Sequence, residues 1–195
     1  MRKLAVDDIL DLRAYERERD DFRRTIIDLK QRRRFGLGTL MSLVFENTDT
    51  MRWQVQEMAR AEKMLRDEQI AHEVETYNAL IPELGELSAT LLIELTSDDQ
   101  LREWLPKLVG IHRAIAFVLA DGSEVRGKAD DEERLIRDDT TPAVHFLKFR
   151  FSPAQVEAFA AGSVRIVVDH PAYREDIELS ETQRDELLRD LRDAA

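Results

Sequence analysis

Residues 86–95 alternate between apolar and polar side chains, and this pattern constrains the fold more than any other feature of the chain. The apolar members of the alternation are Leu87, Ala89, Leu91, Ile93 and Leu95. The polar members are Glu86, Ser88, Thr90 and Glu94. A period of two with one apolar side predicts a half-buried strand in an antiparallel or mixed sheet. The polar side either faces solvent or forms the floor of a pocket.

The segments on both sides of this strand predict an α+β protein. A short apolar strand precedes residues 47–50, a cluster of helix-capping residues, and two amphipathic helices follow. A helix is also predicted for residues 15–34, with glycines stopping it at Gly36 and Gly38. We therefore expect a mixed or mostly antiparallel sheet of about five to six strands, packed against several amphipathic helices.

The order of these elements predicts one α+β domain over residues 1–195. It comprises an N-terminal helical segment (1–38), a strand-helix-helix-strand-helix part (39–110) and a strand-rich part with a C-terminal helix (111–195). Asp121 and Gly122 predict a hairpin turn inside the last part. Residues 130–142 are polar and acidic, and they predict a surface loop.

Composition narrows the function by exclusion. The chain has no cysteine, which rules out disulfides, thiolate metal sites and a cysteine nucleophile. Its net charge of −11 argues against general nucleic-acid or DNA binding, which requires neutralisation of phosphates. A basic cluster at residues 32–34 leaves an anion or RNA site as a distant alternative. No apolar run is long enough for a membrane span or a signal peptide, so we expect a cytoplasmic protein.

Two groups of residues are candidates for a site. Glu68, His72 and Glu75 share one stripe of a predicted helix, where they form either a divalent-metal site or a solvated face. His145 and His170 each lie on an apolar strand face, and buried imidazoles need hydrogen-bond partners. They are either satisfied core histidines or, with Asp169 and Tyr173, a pocket for metal binding or proton transfer.

Strand geometry limits the second candidate. Residues 152–163 are just long enough for a parallel crossover between the two histidine-bearing strands. If these strands are parallel neighbours, His145 and His170 are about 15 Å apart or more. Only an antiparallel or non-adjacent arrangement lets the two side chains converge.

Six short motifs, in this order, resemble the domain-of-unknown-function 3501 family of bacterial proteins, and the likeness spans nearly the whole chain. The motifs are Phe45-Glu46-Asn47, Gln54-Val55-Gln56-Glu57-Met58, Tyr77-Asn78-Ala79-Leu80-Ile81-Pro82, Glu86-Leu87-Ser88-Ala89-Thr90-Leu91, His145-Phe146-Leu147 and Asp169-His170-Pro171-Ala172-Tyr173. The resemblance implies a setting near iron and redox proteins, but it assigns no catalytic residue and no cofactor.

Two functions follow as hypotheses. The first is an accessory or binding protein that supports a partner protein in iron or redox metabolism and has no chemistry of its own. The second is a metal- or small-molecule-dependent enzyme or sensor that uses the strand-borne histidines and carboxylates. A homodimer is a further expectation on general grounds.

Overall fold

The strands and helices of the computed structural model confirm the α+β class. The structure describes residues 1–129 and 139–193, so most of the predicted loop at 130–142 lies outside the described residues. The helices are α1 (Leu12–Arg32), α2 (Thr48–Ala61), α3 (Asp67–Asn78), α4 (Asp98–Lys107), α5 (Pro153–Ala161) and α6 (Glu181–Arg192). The strands are β1 (Arg34–Leu37), β2 (Met41–Glu46), β3 (Glu86–Ile93), β4 (Ile115–Leu119), β5 (Glu124–Arg126), β6 (Lys128–Ala129), β7 (Val144–Arg150), β8 (Val164–His170) and β9 (Tyr173–Glu178).

The strands form two antiparallel sheets. The five-stranded sheet has the order β1-β2-β3-β7-β6, and the four-stranded sheet has the order β5-β4-β8-β9. Strands β7 and β8, which carry His145 and His170, therefore belong to different sheets and are not parallel neighbours.

The main hydrophobic core lies between the inner faces of the two sheets. Phe117 of the four-stranded sheet contacts two rings of the five-stranded sheet, with centroids 5.8 Å from Phe45 and 5.0 Å from Phe149. All three rings are fully buried. Alternation along each strand puts these side chains on one face, so the opposite, outer face of each sheet is left for other contacts.

The chain passes from one sheet to the other at Gly127, between β5 and β6. The Gly127 amide donates a hydrogen bond to the Ile115 carbonyl at 2.9 Å. A Cβ atom at this position would lie only 3.0 Å from the Phe149 ring. Glycine therefore permits the backbone to pass close to the core where the two sheets meet.

Helix α1 ends two residues earlier than the sequence predicts, and the prediction of helix through residue 34 is wrong. The Arg33 carbonyl accepts a hydrogen bond from the Phe45 amide at 3.0 Å, which draws the chain into the sheet. Arg34 then begins β1 and forms an ion pair with Glu94. Arg33 is fully buried, so the three arginines do not form one basic surface.

A second apolar cluster joins the N-terminal segment to α2 and α3. Its buried members are Met1, Leu4, Met51, Val55, Val74 and Ile81. Together with α1, these helices flank the outer face of the five-stranded sheet. No helix in the described part of the chain is long and apolar enough to cross a membrane.

Candidate functional site

His145 lies on the inner face of β7 and stacks on a second histidine that the sequence did not single out. The ring centroids of His145 and His112 are 5.4 Å apart, and their planes differ by 21°. Both side chains are buried, and the His145 Nε2 lies 3.1 Å from the Thr141 hydroxyl. Burial, and to a lesser extent the charge of His112, lowers the pKa of His145 to about 4. The imidazole of His145 is therefore neutral at pH 7.

His170 closes the turn between β8 and β9. A carbonyl can only accept and a backbone amide can only donate, so its two contacts fix the tautomer. Nε2 donates to the Val109 carbonyl at 3.0 Å, and Nδ1 accepts from the Ala172 amide at 3.2 Å. Both ring nitrogens are thus satisfied by backbone groups.

Tyr173 and Asp169 each have partners other than the two histidines. The Tyr173 hydroxyl donates to the Leu37 carbonyl at 2.7 Å and accepts from the Leu40 amide at 3.2 Å. It thereby holds the turn between β1 and β2. The Asp169 carboxylate is exposed and pairs with Arg174 at 3.2 Å.

Three of the four predicted pocket residues lie at the hairpin of β8 and β9, whereas His145 lies on β7 in the other sheet. A short segment, residues 109–112, lies between the two histidines. The Val109 carbonyl accepts a hydrogen bond from His170, and the His112 ring stacks on His145. Each histidine is held separately at one end of this segment, so a joint site of His145, His170, Asp169 and Tyr173 stays a prediction without supporting geometry.

The candidate metal ligands Glu68, His72 and Glu75 are exposed on α3. Among the described residues, no three histidine or acidic side chains lie close enough together to hold a metal ion. The geometry favours the solvated helix face over the metal site.

A cavity of about 290 Å³ lies between the outer face of the five-stranded sheet and helices α1–α3. Its lining combines apolar side chains with a few polar groups. The apolar and aromatic members are Val44, Met51, Tyr77, Leu80, Leu92, Val144 and Phe146, and the polar members are Lys30, Arg34, Glu46, Gln54 and Thr90. We call it the Glu46 cavity. The polar side of β3 thus contributes to the floor of a pocket, the second of the two alternatives that its sequence allowed.

Glu46 is the unusual member of this lining. Its side chain is 4% exposed, and the Thr90 hydroxyl donates to its Oε1 at 2.7 Å. Its Oε2 accepts no hydrogen bond from the part of the chain that the structure describes. A buried polar atom without a partner is costly and calls for a specific explanation.

The charges around the Glu46 cavity are unequally satisfied. The Arg34 guanidinium is engaged by Glu94, which also accepts from the Ser42 hydroxyl at 3.0 Å. Lys30 is half-buried and forms no ion pair with the described residues. The cavity therefore offers one unsatisfied acceptor, on Glu46, and one cation, on Lys30.

Three larger cavities lack such an arrangement. One of about 330 Å³ lies beside α1 and shares Lys30 and Arg34 with the Glu46 cavity, but no acidic residue lines it. A groove of about 390 Å³ on the four-stranded sheet is lined by charges that pair with one another, such as Asp169 with Arg174. In a pocket of about 500 Å³ beside β6, Arg126 pairs with Glu124, and the pocket's other arginine, Arg150, pairs with Glu86. Volume alone does not identify the best site, and the unsatisfied carboxylate favours the Glu46 cavity.

Sequence reasoning missed Glu46 because a single acid at the end of an apolar strand looks like a solvent-facing residue. The available signal was weak: Thr90 lies on the polar side of β3, where a donor to a carboxylate on the neighbouring strand would be placed. The partner of His145 was missed because His112 lies in a short turn with no periodicity.

Comparisons with known proteins agree with this fold. The family model described as "Protein of unknown function (DUF3501)" matches residues 3–191. A crystal structure of a novel protein of unknown function from Burkholderia pseudomallei is 34% identical, with a TM-score of 0.89. The likeness covers 97% of this chain and 100% of that chain. No curated protein matches. Because the match extends over nearly its whole length, the chain belongs to the DUF3501 family.

Proposed function

We propose that this protein binds a small organic molecule in the Glu46 cavity and acts as an accessory or sensor protein. The observation that carries the proposal is the buried Oε2 of Glu46, which has no hydrogen-bond partner among the described residues. A ligand with a donor group at this position would satisfy the carboxylate and recover the cost of burying it.

The rest of the lining supports the proposal. Small-molecule sites are usually concave and largely apolar, with a few polar groups that fix the ligand's orientation. Phe146 and Val144 are each 44% exposed beside the cavity, although they lie in the middle and at the start of a strand. A bound molecule would cover this apolar surface.

A second candidate function uses the stacked histidines. His112 and His145 are both buried, and the low pKa of His145 keeps a neutral imidazole available at pH 7. Neutral imidazole is the form that binds transition metals, so a metal- or proton-linked sensor is the alternative. Zn²⁺ titration of the apo protein tests it: tight binding lost in His145→Phe would favour the sensor over the cavity.

The cellular setting is also part of the proposal. We propose a cytoplasmic protein that supports a partner in iron or redox metabolism, as the family resemblance implies. The five-stranded sheet and its cavity are the parts that we expect to respond to a ligand. Recovery of a redox protein with the tagged chain from its native cells would support this setting.

Ligand-observed NMR against a library of small polar and aromatic molecules tests the proposal. Leu92→Trp would fill the Glu46 cavity with a larger ring, so it should abolish the binding that the wild type shows. Val118→Trp makes a comparable change on the outer face of the other sheet and serves as the control. Equal binding by both variants, or no binding by the wild type, would contradict the proposed function.

A further inference from the structure

We infer that the ligand of the Glu46 cavity is a zwitterion, an amino carboxylate with an aromatic or branched apolar body. This inference rests on the proposed function and specifies its ligand. It follows from three features of a single cavity: an anion and a cation that are both left unsatisfied by the described residues, and an uncovered apolar surface.

The carboxylate of Glu46 selects the ammonium end of the ligand. Thr90 already donates to Oε1, so Oε2 is the atom left for a donor. A neutral hydroxyl would satisfy its hydrogen bond but would leave the buried charge uncompensated. An ammonium group satisfies both, because charge-assisted N–H···O bonds are shorter and stronger than neutral ones.

Lys30 selects the carboxylate end. A purely cationic ligand would meet Lys30 in the same cavity and be repelled by it. Arg34 is neutralised by Glu94, whereas Lys30 forms no ion pair within the described ranges. A carboxylate beside Lys30 therefore completes the charge balance, with one ligand charge for each unsatisfied protein charge.

Phe146 and its neighbours select the body of the ligand. The exposed faces of Phe146 and Val144 adjoin the polar groups, so a compact apolar group can lie on them while the charged groups reach Glu46 and Lys30. A cavity of about 290 Å³ is at the lower end of the range of ligand pockets, which favours a molecule of amino-acid size.

Four probes with the same phenylethyl body separate these contributions. L-Phenylalanine carries both charges, 2-phenylethylamine lacks the carboxylate, 3-phenylpropionate lacks the ammonium group, and 2-phenylethanol is neutral. Titrations followed by methyl NMR of the full chain at pH 7 give the dissociation constants. We expect L-phenylalanine to bind at least about tenfold more tightly than each of the other three, since each lacks one or both charge-assisted contacts.

Two charge-removing variants assign each contact. Glu46→Gln should weaken L-phenylalanine and 2-phenylethylamine about tenfold and leave 3-phenylpropionate unchanged. Lys30→Gln should weaken L-phenylalanine and 3-phenylpropionate and leave 2-phenylethylamine unchanged. Lys30 is only half-buried, so this second variant tests the inference even where Glu46→Gln alters the fold.

The outcomes separate the ligand class from the existence of the site. Binding of all four probes in the cavity with equal affinity would overturn the zwitterion and leave the proposed function standing. Absence of any cavity shift, including with 2-phenylethanol, would overturn both. A loss of affinity for all four probes in Glu46→Gln would also overturn the inference, because it would show a structural role for this carboxylate.

Discussion

The Thr90 hydroxyl donates a hydrogen bond to the Glu46 Oε1 across two neighbouring strands, at 2.7 Å. Thr90 of β3 lies directly opposite Val44 of β2, and Glu46 lies two residues after Val44 on β2. Both side chains therefore lie on the outer face of the sheet. The bond engages Oε1 and leaves Oε2 as the buried acceptor without a hydrogen-bond partner among the described residues.

Replacing Thr90 by valine should destabilise the protein by about 1–3 kcal/mol, because a buried carboxylate oxygen loses its donor. The same substitution in a Glu46→Gln background should be less costly, since a neutral amide is easier to bury. Urea unfolding of the four proteins gives the coupling as a double-mutant cycle. Equal losses in both backgrounds would show that this hydrogen bond does not hold Glu46.

Two adjacent arginines should differ sharply in their contribution to stability. Arg33 is 1% exposed and reaches Asp190 and Glu186 on the C-terminal helix. Arg33→Met should lower the free energy of unfolding by about 3–5 kcal/mol, because it leaves Asp190 buried without its cation. Arg34→Met removes an exposed ion pair with Glu94 and should change the free energy of unfolding by less than about 1 kcal/mol.

Denaturant unfolding of both arginine variants at pH 7 is the measurement. The double variant Arg33→Met/Asp190→Leu should recover much of the free energy of unfolding that Arg33→Met loses, because it removes both buried charges and not only one. Similar losses for Arg33→Met and Arg34→Met would show that the buried network does not tie α6 to the sheet.

Two glycines, one inside β1 and one in the turn that follows it, should differ in their tolerance of alanine. Gly38 has φ +65°, and a Cβ atom there would overlap the Glu175 carboxylate and the Tyr173 hydroxyl. Gly38→Ala should cost at least about 1 kcal/mol from the left-handed backbone alone. Gly36→Ala meets no atom within 4 Å and should have little effect. Thermal unfolding of the two variants and amide exchange of the turn are the measurements. Equal stabilities of Gly38→Ala and Gly36→Ala would contradict the prediction.

Stability should decrease in acid through His145. Its pKa is about 4 in the folded protein and 6.5 in a free side chain, so the unfolded chain binds the extra proton between these values. The stabilisation is complete above pH 6.5 and is lost as the pH falls towards 4, by about 3 kcal/mol in total. His145→Phe should flatten the pH dependence of unfolding in this range. An unchanged slope would show that another group titrates.

Local patterns predicted most elements but not their assembly. The helix-capping residues at the start of α2 and the hairpin turn at Asp121 and Gly122 lie where the sequence placed them. The division of strands between two sheets depends on pairings of residues far apart in the chain, such as β3 with β7, which no local periodicity encodes. Strand β1 was missed because a basic run followed by glycines also describes the end of a helix.

The site was less predictable than the fold. His145 was correctly placed on a core-facing strand side, but its partner depends on where the turn around His112 meets β7. Glu46 becomes unusual only when helices α1–α3 are placed over the sheet and enclose its carboxylate. Burial of a polar group is a tertiary property, so the sequence alone gives only a weak signal of it.

The location of the bound ligand tests the central claim most directly. Methyl groups of Val44, Met51 and Leu92 line the Glu46 cavity, whereas those of Val118 and Val167 line the groove on the other sheet. In a methyl NMR titration with a ligand identified by screening, we expect saturable shifts at the first set and none at the second. Shifts confined to Val118 and Val167 would contradict the account and would place the binding site on the four-stranded sheet.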